Sequence, residues 1–295
     1  MEKSKVYFTK NITPEMVVKM FQVLNKDLKG KVAVKLHSGE KGNQNYVRPE
    51  FVKPVIDYVK GTVVECNTAY EGARNYTDKH IELLKEHGWS KYFKVDILDA
   101  EKPDLVLDIP KGEVIKKNYV GKGLEKYNSM LVLSHFKGHP MGGYGGAIKQ
   151  LSIGCASTEG KCYIHSAGIT LDQSEVWNKT AKQEDFLKAM AESAGSVVEY
   201  FKGEIAYINI MCNMSVDCDC CAKAEVPCMK DIGILSSLDP VALDKACIDL
   251  VYNSSDSGKK HLIKRIESRK GLITIDEAEK QGYGTKNYEL INIDN

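Results

Sequence analysis

Short apolar runs alternate with helix-patterned segments along most of the chain, and this alternation limits the fold more than any other feature. KVYF reads as a strand. TPEMVVKMFQVLNK reads as a helix, with Thr13 as N-cap, Pro14 at the first helical position and Glu15 in the first turn. KVAVKLH, TVVECN, FKVDIL and DLVLDI are strand-like, with RPEFVKPVIDYVK and DKHIELLKEHGW as helices between them. The second half repeats the style. MLVLSHF, IAYINIMCN and DIGILSS are strands, DFLKAMAESAGSVVEYF is the clearest amphipathic helix, and Asp239-Pro240 opens another. This βαβα order predicts an α/β fold, with largely parallel sheets and helices on both faces. The expected organisation is two α/β units with a cleft between them, residues 1–180 and a smaller unit 181–295, divided at the polar stretch Asn178 to Gln183.

With 295 residues, 43% of them hydrophobic, the chain can bury a sizeable core. Its formal net charge of +1 gives no basic stripe for nucleic acid. No apolar run has the length of a membrane helix, and MEKSKVYFTK lacks the apolar core of a signal peptide, so a cytoplasmic location is expected. In a reducing compartment nine cysteines point to metal or redox chemistry rather than a disulfide framework.

Two segments concentrate the candidate chemistry. The first, after the strand MLVLSHF, is KGHPMGGYGGAIKQLSIGCASTEGKCYIHS. Open α/β sheets bind ligands beyond the carboxyl ends of their strands. Gly143, Gly145 and Gly146 would let backbone approach a ligand, and AIKQL looks like a helix start whose free N–H groups favour an anion. Lys149 and Lys161 would add positive charge, and His139 and His165 could act as acid, base or metal ligand. The plainer alternative is a turn whose glycines serve packing alone. The Walker and dinucleotide-binding glycine patterns do not fit.

The second segment, MCNMSVDCDCCAKAEVPCMKD, places Cys212, Cys218, Cys220, Cys221 and Cys228 close together, with Asp217 and Asp219 among them. Thiolates select zinc, copper(I), nickel or iron–sulfur clusters, yet the spacing matches no standard zinc or ferredoxin run. Cys218 and Cys220 are the expected metal or redox pair, and Cys155 could join His165 in a mixed site. Cys66 and Cys247 read as buried small hydrophobes. A third polar loop, KLHSGEKGNQNYVRP, carries His37, Glu40, Asn43 and Arg48. Arg48 would hold a substrate carboxylate and Glu40 would be a general base. His135 reads as a structural hydrogen-bonder, and His87 and His261 as surface residues.

The strings HPMGGYGGAIKQLSIG, HSGEKGNQNYVRP and CDCC…DIGILSSLDPVALDKA resemble a bacterial and archaeal group known as domain-of-unknown-function family 362. Some of its members carry an added segment with iron–sulfur cysteine spacing, which this chain lacks. More distantly, the glycine-rich segment is similar to the nickel-pincer lactate racemases. There a histidine precedes a Gly-Tyr/Phe-x-Gly-Gly-x-Lys string and another follows. Here His139 lies ten positions before Lys149 and His165 sixteen after it. The Arg48-Pro49 pair has a counterpart there too. That resemblance implies His139 as a proton-transfer residue, Lys149 as the cofactor-attachment lysine and His165 as the nickel ligand. The racemases' second catalytic histidine has only Arg74 or His80 as loose candidates. The expected function is a metal- or cofactor-dependent enzyme of the racemase-like superfamily, working on a small anionic molecule. The alternative is an iron–sulfur or zinc protein of electron transfer or metal handling.

Overall fold

A computed structural model describes residues 3–294. The elements in chain order are β1 (Ser4–Thr9), α1 (Pro14–Gln22), β2 (Val32–Lys35), α2 (Pro49–Tyr58), β3 (Thr62–Glu65), α3 (Thr77–Glu86) and α4 (Trp89–Tyr92). They continue with β4 (Asp96–Ile97), β5 (Leu105–Asp108), β6 (Lys117–Val120), β7 (Ser129–His135), β8 (Lys137–His139), β9 (Gly143–Gly145), α5 (Ala147–Cys155) and α6 (Thr158–His165). The chain closes with α7 (Gln183–Tyr200), β10 (Ile205–Met211), β11 (Gly233–Ser237), α8 (Pro240–Asn253), α9 (Lys259–Ser268), α10 (Leu272–Lys280) and β12 (Tyr288–Asn292).

Eight strands form one sheet in the order β12-β1-β11-β10-β7-β2-β3-β4. β10, β7, β2, β3 and β4 run parallel, and β11 is antiparallel to both β10 and β1. The α/β class expected from the alternation is the class observed. The expected division into 1–180 and 181–295 does not separate two sheets, because β10 lies beside β7 from Ile205 opposite Met130 to Ile210 opposite His135. Main-chain pairing across the boundary merges the halves.

The central strands are apolar on both faces, as strands covered on two sides must be. In β7, Met130 and Val132 enter one core with α5, α7 and α8, while Leu131 and Leu133 enter the other with α1 and α2. Each such side chain contributes roughly 1.5–3 kcal/mol on burial. Caps set the helix starts. Thr13 accepts from the Met16 N–H, and Asp239 accepts from the Val241 and Ala242 N–H groups. DLVLDI departs from expectation: β5 pairs only with β6, in a separate antiparallel ribbon with half its residues exposed. Among the described residues no helix is long and apolar enough to cross a membrane.

Candidate active site

The carboxyl ends of β2, β3, β7 and β10 all point to one edge of the sheet, and the three polar segments meet there. β7 ends at His135, the β8–β9 hairpin turns back over it, and α5 follows at once. Gly143 sits at φ +81°, and a Cβ on it would lie 3.1 Å from both the Gly271 Cα and the Ile266 carbonyl. A Cβ on Gly146 would lie 2.4 Å from an oxygen of Asp244. That carboxylate caps α5, accepting from the Ala147 N–H at 2.8 Å, the Ile148 N–H at 3.0 Å and the Asn209 amide at 2.7 Å. The helix start expected to receive a ligand anion therefore already holds one from the protein. Gly143, Gly145 and Gly146 are not among the residues bordering the cavity described next.

Lys149, Lys161, His139, His165 and Cys220 border one cavity of about 260 Å³. Lys149 is buried, and its amine donates to the Cys218 sulfur at 3.4 Å. Burial opposes its charge, but the neighbouring Cys218 and Cys220 sulfurs hold its pKa above the ordinary lysine value. Cys218 lies directly behind the wall, fully buried. Burial raises its thiol, yet the hydrogen bond from Cys220 and the charge of Lys149 outweigh that and bring it well below the ordinary thiol range. Cys220 moves the other way, because it keeps the proton it shares with Cys218.

His139 is fixed by its own hairpin. Its Nδ1 accepts from the Met141 N–H at 3.1 Å and the Gly142 N–H at 2.8 Å. A neutral ring with Nδ1 accepting carries its proton on Nε2, which faces the Cys220 sulfur at 3.8 Å. A second proton would have to enter Nδ1 against two backbone donors. Burial, with the charge of Lys149, also lowers its pKa. His139 is thus placed to donate through Nε2, a different task from accepting a substrate proton.

His165 is the opposite case. Its Nδ1 is buried with no hydrogen-bond partner. The ring stacks on Phe186 at 4.8 Å and meets Trp177 at 5.4 Å. Burial and the nearby His139 and Lys149 pull it down to about 3, so the ring is neutral. Lys161 donates to the Ala156 carbonyl at 2.5 Å, and burial lowers its pKa. Lys35, also on the cavity wall, is paired with Glu65 at 2.6 Å, and Arg74 with Glu40 at 3.1 Å. Among the described residues neither Lys149 nor Lys161 has a carboxylate within ion-pair distance: Lys149 is balanced by the Cys218 sulfur, and Lys161 has the Ala156 carbonyl.

The polar loop after β2 clamps the cysteine loop. The Asn43 amide donates to the carbonyls of Cys218 at 3.3 Å and Cys221 at 2.9 Å, and the Glu40 N–H donates to that of Asp219 at 2.8 Å. Glu40 is buried against Arg74 and the Tyr70 hydroxyl, which makes it a holder of the wall. Arg48 is exposed, donates to the Gln44 carbonyl at 2.9 Å, and lies over the Tyr46 ring, away from the cavity. Cys155 is fully buried in the core, its thiol raised to about 11 by burial, and it does not reach His165's cavity. His135 bonds both oxygens of Asp219 at 3.0 Å and the Cys212 carbonyl at 2.6 Å, and Lys137 bonds Asp219 at 2.6 Å. This buried trio anchors the base of the cysteine loop. His261 is exposed, whereas His87 is half-buried against Tyr46.

Residues 32–249 match the family model described as Domain of unknown function (DUF362). The chain belongs to the DUF362 family. The matched region runs from β2 into α8, so this DUF362 site lies entirely within it. No curated protein has significant sequence similarity to the chain. Among solved structures, the lactate racemase apoprotein from Thermoanaerobacterium thermosaccharolyticum is 13% identical over 69% of this chain and 50% of its own, with a TM-score of 0.43. A protein from Thermotoga maritima is 11% identical over 91% of this chain and 59% of its own, with a TM-score of 0.41. The DUF362 chain thus spans about half to three fifths of the length of these two structures, and likenesses of this size do not bear on what it does.

A lone ring nitrogen and one cluster of three donors in this DUF362 site suit a metal. The Nδ1 of His165 is free. The sulfurs of Cys218 and Cys220 and a ring nitrogen of His139 lie within 4.8 Å of one another. In the cluster the sulfurs are ready ligands, but the protonated Nε2 of His139 becomes one only on losing that proton. The sequence reading overlooked Tyr70, Gln150 and Trp177, which border the cavity. Tyr70 comes from an irregular segment and Trp177 from a single 3-10 turn (Val176–Asn178), both without a motif, and Gln150 is hidden beside Lys149 on α5.

Proposed function

We propose that the protein is an enzyme acting on a small anionic molecule, with proton transfer next to a carboxylate as its reaction. The observation that carries this reading is the meeting of Lys149, Lys161 and His165 on one cavity, where, among the described residues, Lys149 has the Cys218 sulfur as its hydrogen-bond partner and Lys161 a main-chain carbonyl. Lys149 and Lys161 hold the substrate carboxylate and stabilise the negative charge that develops on it as the adjacent proton leaves. Burial is the largest cause of the low His165 pKa, with His139 and Lys149 adding to it; a bound anion offsets the added charge, so the ring gains some basicity when substrate is present, and its free Nδ1 takes the proton. His139 donates through Nε2 and keeps the thiol pair oriented.

The racemase resemblance implies a nickel-bearing cofactor on Lys149 and His165, and the unpartnered Nδ1 fits that role. Such a group would supply an electrophilic metal centre; with Lys149 and His165 committed to it, Lys161 would hold the substrate and the proton would go to an acceptor other than His165. Proton exchange tests the reading. The protein, purified anaerobically, is incubated in D2O with 2-hydroxy and 2-amino acids, and deuterium at the carbon beside the carboxylate is followed by NMR. Incorporation with at least one acid, lost in His165→Ala, is expected. No incorporation with any acid contradicts the proposal.

A second reading rests on the convergence of Cys218, Cys220 and His139. The thiols would hold zinc or an iron–sulfur cluster, and the protein would carry electrons or handle metal. Stoichiometric zinc or iron, or a visible absorption band, lost in Cys218→Ser together with silence in the exchange assay, favours it.

A further inference from the structure

We infer that the ligand of this cavity is a carboxylate carrying an aromatic or similarly bulky apolar body, and that Trp177 selects for that body. The inference rests on the anion-holding role of Lys149 and Lys161. Two features of the cavity lead to it. The first is size. An apolar cavity of roughly 150 Å³ is enough for benzene, whereas this one offers about 260 Å³. A three-carbon acid would leave much of that space to water.

The second is the division of the walls. Lys149, Lys161 and His165 are all buried, and the Gln150 amide nitrogen beside them is a buried donor without a partner. Toward the outside the wall turns apolar, with Pro140, Met141 and Ile153 half-buried and Trp177 43% exposed. Water against these side chains is unfavourable, and an apolar ligand surface is the matching occupant. The ligand therefore enters anion first. The Gln150 amide is free to donate to a carbonyl or hydroxyl near the carboxylate. The body rests against Trp177, whose ring is already supported by His165.

Titration calorimetry on the full chain tests this with three probes: lactate, 3-phenyllactate and neutral 2-phenylethanol. Phenyllactate is expected to bind at least tenfold more tightly than lactate. Trp177→Ala is expected to lower phenyllactate affinity about tenfold and to leave lactate within about twofold. Circular dichroism checks that this variant, altered at an exposed position, is folded. Equal affinity for the two acids, or a Trp177→Ala variant that discriminates like the wild type, overturns the inference and leaves the anion-holding role intact. If neither acid binds, both fall. If 2-phenylethanol binds as tightly as phenyllactate, the anion-holding role fails while the part played by the apolar wall stands.

Discussion

The amine of Lys149 lies 3.4 Å from the sulfur of Cys218, and that sulfur is its only side-chain hydrogen-bond partner among the described residues. That sulfur, shifted toward the thiolate, offsets part of the cost of burying the ammonium, and an anion entering the cavity would be the second charge Lys149 can hold.

Lys149→Met therefore loses anion binding and lets the Cys218 thiol rise toward its ordinary range, because the ammonium that helps hold it low is gone; taking up a proton lets Cys218 limit the cost in stability. Lys35→Met should cost more. It removes the nearest cation from the buried Glu65 carboxylate, which Lys35 holds at 2.6 Å, leaving the Ser38 N–H at 2.8 Å and Arg74 at 3.9 Å, and should cost up to about 3–5 kcal/mol. Urea unfolding of both variants, with benzoate calorimetry on the first, measures the contrast.

Gly146→Ala pushes a methyl group into the Asp244 carboxylate, since the Cβ position is 2.4 Å from its oxygen. Either the cap or the start of α5 must move. A loss of about 1–3 kcal/mol is expected, and anion affinity falls with it because Lys149 sits on the first turns of α5. Gly145→Ala is the control. Its Cβ would meet the Lys149 side chain at 3.4 Å and that of Lys137 at 3.9 Å, both ordinary contacts, and anion affinity should change less.

Asp244 also makes a pH prediction. Burial raises its carboxyl from 3.8 to about 6 in the fold. The folded state binds the proton more tightly than the unfolded chain, so this group's contribution to stability is largest below about pH 4 and is lost as pH rises through about 6. The stability difference between wild type and Asp244→Asn should shift in that direction across the window by up to about 3 kcal/mol. Urea midpoints at pH 4, 5, 6 and 7 check it. A difference independent of pH would show that the carboxyl keeps its ordinary pKa.

The cysteines divide by position. Cys155→Ala and Cys247→Ala remove buried thiols away from the cavity, and should leave anion affinity within about twofold. Cys220→Ala opens the cavity wall beside His139 and should change it severalfold. Calorimetry with 3-phenyllactate on the three variants measures this.

The architecture was readable because period and punctuation agreed. β7 and β10 are unbroken apolar runs, and Thr13 and Asp239 stand where helix caps must. The merging of the halves was not readable, because which strands pair depends on main-chain contacts between residues as far apart as Met130 and Ile205. The same limit governed the site. Lys149, His165 and Cys220 were legible as reactive types in suggestive segments, and the cavity they share gives those choices a common place. Arg48 was misplaced because a position before Pro49 fixes where a helix starts but not which side of the sheet edge the side chain faces. Gly146 looked like an anion cradle because nothing local announces that Asp244, almost a hundred positions later, occupies it. The proton position on His139 depends on two backbone N–H groups that only the folded hairpin supplies.

The most direct test of the shared cavity is anomalous diffraction from crystals grown with 4-bromobenzoate. The account predicts a bromine peak beside Trp177, with the carboxylate within hydrogen-bond distance of the Lys149 and Lys161 amines. A peak elsewhere on the molecule, with the space between Lys149 and His165 filled by their own neighbours, would contradict it.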